Sequence, residues 1–244
     1  MPHAKQTLNI GHLLQACKEC SLAELCLPRG LSEAEVEELG KVVSRQVTLQ
    51  PGETLFRPGD RCNMIYAVRS GSMKSFRLTE DGGVQILGFH LPGELFGLDG
   101  LDTHLHHCEA VALETTRICE LSIDELEKLC CTHVALHHEI LRVIGREISA
   151  EHELLLLLGK KRAEERLAAF LISLCKRFCQ RGGSGEKINL PMTRQDIGNY
   201  LGLAIETVSR LFARFQEQKL ITVQRRQVWI HDTERLGEMA GLDG

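Results

Sequence analysis

The feature that most constrains the fold is a pair of helical patterns joined by a tight turn, in "MTRQDIGNYLGLAIETVSRLFARFQEQKLI". Thr193 can cap a first helix that carries Ile197 and Leu201, because its hydroxyl can accept a hydrogen bond from the first turn. Gly202 lies in the short turn "LGLA", and a second helix is predicted over 204–218. Two helices joined by such a turn predict a helix-turn-helix unit. The "ITVQRRQVWIH" that follows predicts two small strands with a basic tip, a wing.

The second predicted helix has one apolar and one polar face. Its apolar arc holds Ile205, Val208, Leu211, Phe212 and Phe215, and its opposite arc holds Glu206, Ser209, Arg210 and Ala213. Arginine can donate two hydrogen bonds to guanine and a carboxylate can accept one from cytosine, so Glu206, Ser209 and Arg210 form a candidate base-reading set. Candidate phosphate contacts are Thr193, Arg194, Arg214, Arg225 and Arg226. The alternative is an exposed helix face that binds no ligand.

Charge is unevenly distributed along the chain. Residues 160–231 contain 14 Lys and Arg but only 6 Asp and Glu, which gives this block a net charge of +8. The whole chain has a net charge of −4, so the remainder carries −12. A basic block on an acidic protein indicates nucleic-acid binding, although a solvated helical surface has the same composition.

Residues 31–130 show a β pattern. Short apolar or alternating runs such as "MIYAVRSGSMKSFRL" and "CEAVALETTRICELS" are separated by Gly, Pro and Asp. Runs of this length and spacing predict a closed or rolled antiparallel β-domain. Residues 31–43 predict a helix before the first strand, with Ser32 as N-cap and Glu35 at the third helical position.

Residues 132–158 change to alternating steps of three and four. This seam consists of Val134, His137, Leu141, Ile144, Ile148, Glu151, Leu155 and Leu158. A heptad pattern of this length predicts a helix that pairs with a second copy, and the alternative is a helix packed on its own domain. In a symmetric pair Glu151 would meet its mate, and like charges removed from water oppose association. A dimer weakened in this way can be switched by a modest signal, unless the helical phase puts Glu151 at the rim.

Three thiols, Cys17, Cys20 and Cys26, lie close together in "ACKECSLAELCLP". The N-terminus has no secretory pattern and the longest apolar run is too short to span a membrane, so we expect a cytoplasmic protein that binds no membrane. Ten cysteines in a reducing compartment indicate metal or redox chemistry rather than a disulfide framework. Thiolates suit both iron–sulfur clusters and zinc, and the spacing alone leaves both possibilities open.

The sequence favours a binding protein over an enzyme. It contains no nucleophile elbow, no phosphate-cradling glycine loop and no paired carboxylates in a helix–strand context. Its 244 residues, of which 43% are apolar and 25% charged, have the composition of a globular protein long enough for two domains.

Motifs in several parts of the chain resemble the CRP/FNR superfamily of bacterial transcription regulators, and within it the oxygen-sensing fumarate and nitrate reduction regulators. "CKECSLAELCLP" is similar to their cysteine cluster, and "GFHLPGEL" and "ALETTRICEL" are similar to their sensory β-roll. "LLLLGKKRAEERLAAFL" is similar to the link into the DNA-binding domain. The helix-turn-helix has the family pattern E-x-x-S-R at Glu206, Ser209 and Arg210.

The resemblance implies a fold and a domain order. The expected fold class is α+β, with an N-terminal antiparallel β-roll (a double-stranded β-helix like that of cyclic-nucleotide-binding domains), a long dimerisation helix and a C-terminal winged helix-turn-helix. The expected segments are a cysteine-rich cluster arm at 1–30, the sensory β-roll at 31–131, the dimerisation helix at 132–159 and the DNA-binding domain at 160–244.

The resemblance also implies a cofactor and partners. The family holds a [4Fe-4S] cluster with three N-terminal cysteines and one from the β-roll, which fall here on Cys17, Cys20, Cys26 and Cys119. An intact cluster is expected to promote a homodimer, binding to a two-fold symmetric DNA site and contact with RNA polymerase, and cluster loss in O₂ is expected to inactivate the protein. The alternatives are the same scaffold sensing nitric oxide or redox state, and a structural Cys₄ zinc site.

Cyclic AMP, which other members of the superfamily bind in the β-roll, is not expected to act here. No Lys or Arg occurs from Leu78 to Thr116, and His107-Cys108 stands where the family has its phosphate-binding Arg-Ser pair. A cyclic phosphate needs a cation and hydrogen-bond donors at that place.

Two groups of residues have no counterpart in the resemblance. The histidine-rich stretch of His104, His106 and His107 is expected in a surface loop rather than as a set of metal or haem ligands. Some of the remaining cysteines are expected to be small core residues. These cysteines are Cys62, Cys108, Cys130, Cys131, Cys175 and Cys179.

Overall fold

The computed structural model describes residue 17 and residues 20–241, which divide into two compact units. The first unit takes in the chain up to Arg77 together with Phe89–Arg146, and the second comprises Leu78–Gly88 and Glu147–Gly244. The division at Arg146 falls inside a long helix, which runs from Val134 to Lys160. None of the helices in the described part of the chain is long and apolar enough to cross a membrane.

Eight strands form two four-stranded sheets, with the orders β1-β8-β3-β6 and β2-β7-β4-β5. Strands β1 and β3 both pair antiparallel with β8, and β4 pairs antiparallel with β7. The strands are β1 (Val43–Leu49), β2 (Thr54–Phe56), β3 (Met64–Ser70), β4 (Met73–Leu78), β5 (Val84–His90), β6 (Leu95–Phe96), β7 (Glu109–Ala112) and β8 (Thr116–Ser122). This arrangement confirms the antiparallel β-domain that the short alternating runs predicted.

Among the described residues, three helices accompany these strands: α1 (Glu33–Val42), α2 (Ile123–Thr132) and α3 (Val134–Lys160). Helix α1 begins where it was predicted, because the Ser32 side chain accepts from the Glu35 backbone N–H and the Glu35 carboxylate accepts from the Ser32 N–H. This reciprocal capping box satisfies two backbone donors that the helix itself leaves unpaired. Helix α3 has 27 residues and confirms the long helix predicted from the heptad seam.

The C-terminal part contains four helices and a small sheet. They are α4 (Ala163–Cys179), β9 (Lys187–Asn189), α5 (Arg194–Leu201), α6 (Ile205–Glu217), β10 (Ile221–Gln224), β11 (Gln227–Ile230) and α7 (Thr233–Ala240). Thr193 and Asp196 form a capping box at the start of α5, and Gly202 ends it with φ of 62°. A positive φ favours Gly because it has no Cβ, which explains the tight turn. The helix-turn-helix and the wing are confirmed, whereas β9, which pairs with β11, and α7 were not predicted.

Candidate DNA-binding face, cysteine cavity and helix seam

Helix α6 is held in its domain by one apolar face. Val208 and Phe215 are fully buried, and Leu211 and Phe212 are buried beside them. The predicted apolar arc is wrong only for Ile205, which is 37% exposed. Ile205 is the first residue of the helix, so no preceding helical turn covers it.

The opposite face of α6 presents the candidate base-reading residues to solvent. Glu206, Ser209 and Arg210 are all exposed. The Arg210 guanidinium makes only long contacts of 3.4 Å, to the Glu206 carbonyl and the Thr207 hydroxyl. Contacts of this length are weak, so the guanidinium can exchange them for stronger ones.

Three of the candidate phosphate contacts have other roles in the structure. The Thr193 hydroxyl is the N-cap of α5 and bonds to the Asp196 carboxylate at 2.7 Å. The Arg194 guanidinium stacks 3.3 Å from the centre of the Phe212 ring, and its burial lowers the pKa of Arg194 to about 10. Arg214 forms an ion pair with Glu164 of α4 at 2.9 Å. Arg225 and Arg226 lie at the wing tip and are exposed, and Arg214 is exposed as well despite its ion pair.

The candidate cluster cysteines come together in one cavity. Cys17, Cys20, Cys26 and Cys119 all line it, with walls that are mainly aliphatic. The first three lie on successive turns, in which the Cys20 N–H donates to the Cys17 carbonyl and the Cys26 N–H to the Leu22 carbonyl. Cys119 lies on β8, between Gln46 of β1 and Ala67 of β3, so the sheet holds it rigidly.

The thiols in this cavity influence one another electrostatically. Burial, followed by the neighbouring Cys119 and Cys20, raises the pKa of Cys17 to about 11. Burial also raises the pKa of Cys26, to about 12, and that of Cys119. Arg69 on β3 lines the cavity and partly opposes the shift at Cys17 and Cys119, because its positive charge favours the thiolate. Arg69 was not predicted as a site residue, because an isolated arginine in a strand gives no signal of a site.

The four cysteine sulfurs are the type of donor that a thiophilic metal ion or cluster requires. Four sulfur donors converge on a cavity with apolar walls, and sulfur is the donor that iron–sulfur clusters and zinc share. The described residues nevertheless contain no group of three or more His, Cys, Asp or Glu side chains already arranged to hold a metal ion. The structure therefore brings the four predicted ligands to one place without closing a coordination site.

The remaining cysteines and histidines are distributed through the fold. Cys62 and Cys108 are buried, as expected of small core residues. The histidine stretch is not a simple surface loop, because His106 is only 1% exposed and stacks 3.6 Å from the Phe56 ring centre. Although burial alone raises the pKa of Asp99, hydrogen bonds from the His106 ring, the His107 N–H and Cys108 lower it to about 2.

The heptad seam of α3 is exposed on the single chain. Val134, Leu141, Ile148 and Leu155 are spaced seven residues apart and are 66%, 53%, 48% and 67% exposed. Ile144 is half-buried and Glu151 is exposed. Large aliphatic side chains this exposed at a seven-residue repeat are typical of a helix that pairs with another helix.

Known proteins place this architecture in a family. A family described as a Crp-like helix-turn-helix domain matches residues 165–239, and one described as a cyclic nucleotide-binding domain matches residues 46–133. The transcriptional activator protein Anr of Pseudomonas protegens is 48% identical over 231 residues, which is 95% of each chain. The chain belongs to the CRP/FNR superfamily of transcription regulators.

Further relatives in the CRP/FNR superfamily agree with this assignment. The fumarate and nitrate reduction regulatory protein of Escherichia coli K12 is 43% identical over 225 residues, 92% of this chain and 90% of that protein. The solved structure of FixK2 from Bradyrhizobium japonicum has a TM-score of 0.74 at 31% identity, covering 80% of this chain and 96% of that one. The chain is thus a DNA-binding transcription regulator and not an enzyme.

Proposed function

We propose that this regulator responds to oxygen and that Cys17, Cys20, Cys26 and Cys119 hold a [4Fe-4S] cluster. The observation that carries the proposal is the convergence of these four thiols, three from one short segment and one from a central strand, on a single cavity. When bound, such a cluster supplies a redox-active centre that O₂ can oxidise and degrade. The similarity to relatives named as fumarate and nitrate reduction regulatory proteins supports this proposal.

The chain provides a physical link from the cysteine segment to α3. Leu27, directly after Cys26, is 1% exposed and shares a hydrophobic cluster with Leu136 of α3, which is equally buried. Cys17, Cys26 and Cys119 pack against the same cluster. A change in the position of the cysteine segment therefore changes the packing at the N-terminal end of α3.

Charge provides a second link between these elements. Arg29 follows the cysteines, and burial, followed by the charges of Arg142 and Arg29, lowers the pKa of Arg146 on α3. Arg142 in turn is paired with Glu139. Repulsion between these guanidinium groups depends on where the segment lies, so the segment can bias the helix that carries the seam.

We propose that the seam forms a two-fold symmetric dimer, and that this dimer binds a two-fold symmetric DNA site. Two copies of α3 can bury the four exposed aliphatic residues against each other, which the single chain leaves in water. In such a dimer Glu151 on the same seam would oppose pairing if each copy meets its mate, and would matter little at the rim. We propose that ligand loss at the cysteines shifts this balance towards the monomer, which presents only one helix-turn-helix to DNA.

The Ile148→Lys variant tests the seam. Each subunit then loses one buried aliphatic side chain, worth about 1.5 kcal/mol, and gains an unpaired charge, so the dimer dissociation constant should rise by at least about 100-fold. Light scattering and analytical ultracentrifugation under nitrogen measure the change. Glu153→Gln, which alters the charge of an exposed α3 residue by the same amount outside the seam, should leave the dimer intact. Equal dimerisation of Ile148→Lys and wild type would exclude the seam as the interface.

The direct test of the cofactor is chemical. Protein purified without oxygen should contain iron and acid-labile sulfide in equal amounts, and both should fall after exposure to air, together with specific DNA binding. Zinc in place of iron, unchanged by air, would establish the structural alternative. If nitric oxide caused the same cluster loss in the absence of O₂, the regulator would respond to nitric oxide as well as to oxygen.

We also propose that cyclic AMP does not act on this protein. The backbone N–H groups of His107 and Cys108 already donate to the Asp99 carboxylate, at 2.7 and 3.1 Å. A carboxylate at this place repels a phosphate. In the adjoining core, the aromatic side chains of Phe56, Tyr66 and Phe96 pack against one another.

This proposal predicts that cyclic AMP leaves DNA binding unchanged. Anaerobic protein should bind its DNA site with the same affinity, to within about two-fold, at cyclic AMP concentrations up to the millimolar range. Isothermal titration calorimetry should detect no saturable heat. A saturable rise in DNA affinity with added nucleotide would overturn the proposal.

Contact with RNA polymerase is proposed through exposed turns of the β-domain. The turn between β4 and β5, residues 79–83, is fully exposed and carries two carboxylates. Relatives named as transcriptional activators support this role.

A further inference from the structure

A pair of thiols outside the cysteine cavity lies at the end of α4. Cys175 and Cys179 are one helical turn apart, and their side chains are in hydrogen-bonding contact. Cys175 is buried, whereas Cys179 is exposed as the last residue of the helix. The two sulfurs thus combine one solvent-accessible thiol with one thiol sheltered behind it.

Gly185 closes the other side of the pair. The Cys175 thiol donates to the Gly185 carbonyl at 2.9 Å. A Cβ at Gly185 would lie 2.2 Å from the Cys179 sulfur and 3.2 Å from the Cys175 sulfur, so only glycine fits there. The Gly185 backbone therefore packs against both sulfur atoms. A reagent from solvent can reach the pair through the exposed Cys179.

The spacing of the pair opposes a disulfide. Residues four apart on a helix have Cβ atoms about 5–6 Å apart. A disulfide needs Cβ atoms about 3.5–4.5 Å apart, so forming one would require the last turn of α4 to unwind. An atom that bridges the two sulfurs spans the longer distance without moving the helix.

The number of donors selects the kind of bridging atom. A closed structural metal site takes four protein ligands, and among the residues described no three potential ligands are grouped in this way. A linear two-coordinate ion needs its sulfurs on opposite sides, whereas these two lie in contact. A soft atom with three pyramidal bonds can bind two neighbouring sulfurs, because the angle between its bonds is far from linear. Its third bond is then available for an external group.

We propose that the Cys175–Cys179 pair is a binding site for trivalent arsenicals. Such a compound reaches the exposed Cys179 first and then closes onto Cys175, which gives up its hydrogen bond to Gly185. With phenylarsine oxide, two As–S bonds form and the arsenic-bound oxygen leaves as water with the two thiol protons. Arsenic stays trivalent throughout, so no oxidant or reductant is required.

The sequence around the pair makes the test specific. Trypsin cleaves after Lys176 and Arg177, so Cys175 and Cys179 fall on the separate peptides "LAAFLISLCK" and "FCQR". Full-length protein purified without oxygen is treated with phenylarsine oxide at equimolar concentration, digested and analysed by mass spectrometry. One phenylarsenic group joining these two peptides is the expected product, and Cys179→Ser should reduce it to background.

A matched control uses another exposed cysteine. Cys131→Ser, on α2, should retain the bridged product in full. Cys130 and Cys131 are adjacent on a helix and do not face each other, so they are not expected to bridge. The proposal is overturned if the two peptides carry no joint arsenic, if Cys179→Ser retains the product, or if a disulfide joins them instead. None of these outcomes depends on the cluster proposed for the other four cysteines.

Discussion

Replacing Cys119 with Ser is expected to abolish stable cluster assembly and to leave the protein largely monomeric in the absence of oxygen. Cys119 is the one thiol of the four that a sheet holds, between β1 and β3. A serine hydroxyl is a hard oxygen donor that does not replace a soft thiolate. Without this anchor, the three thiols of the N-terminal segment are no longer fixed to the β-domain.

The measurement compares iron, acid-labile sulfide and the visible absorption of wild type and variant, both purified under nitrogen. Wild type should contain about four iron atoms per chain, and Cys119→Ser close to none. Cys179→Ser, which removes an exposed thiol outside the cavity, should match wild type in iron content and in molecular mass by light scattering. An unaltered anaerobic spectrum in Cys119→Ser would contradict the proposed ligand set.

Replacing Arg210 with Ala is expected to remove sequence-specific DNA binding without changing the cofactor. Arg210 is exposed on α6 and makes only long contacts within the protein, so its guanidinium is available to a base edge. The loss of one bidentate pair costs about 1–3 kcal/mol, or roughly 5- to 150-fold in affinity for the specific site. Binding to unrelated DNA should change much less, because it depends on charge.

Two further variants separate base reading from charge. Arg210→Lys keeps the positive charge but loses the planar fork, so it should also lose specificity while retaining non-specific affinity. Arg235→Ala removes the same charge from α7, outside the helix-turn-helix, and should retain specificity. Electrophoretic mobility shifts against matched and scrambled sites measure all three. If Arg210→Ala discriminated between these sites as wild type does, α6 would not read bases through this residue.

Local patterns predicted most of the elements that carry the site. Helix α5 was predictable because Thr193, Asp196 and Gly202 specify its start and its end within ten residues. The two faces of α6 followed from its period, since Val208 and Phe215 recur on one side and Arg210 lies on the other. Only the first turn differed, where Ile205 is exposed.

Contacts between distant residues were not predictable in the same way. Arg194 was expected to be free for phosphate, yet its guanidinium lies on Phe212, eighteen positions further along the chain. His106 was expected at the surface, yet it stacks on Phe56 and bonds to Asp99. A charged or polar residue gives no local signal of which ring or carboxylate it will meet, because that neighbour is set by packing.

The sequence alone determined the order of the elements, the caps and turns that delimit the helix-turn-helix, the heptad spacing of α3 and the identity of the four candidate ligands by resemblance. These are properties of residues close together in the chain, where period and hydrogen-bonding capacity act directly. Only the tertiary structure decided that Cys17 and Cys119 line the same cavity with Arg69 beside them. It also showed that the aliphatic residues of the seam are exposed on a single chain, and that Gly185 packs against a second pair of thiols. The pairing of strands and the close packing of side chains bring these groups together, and neither is encoded within any one segment.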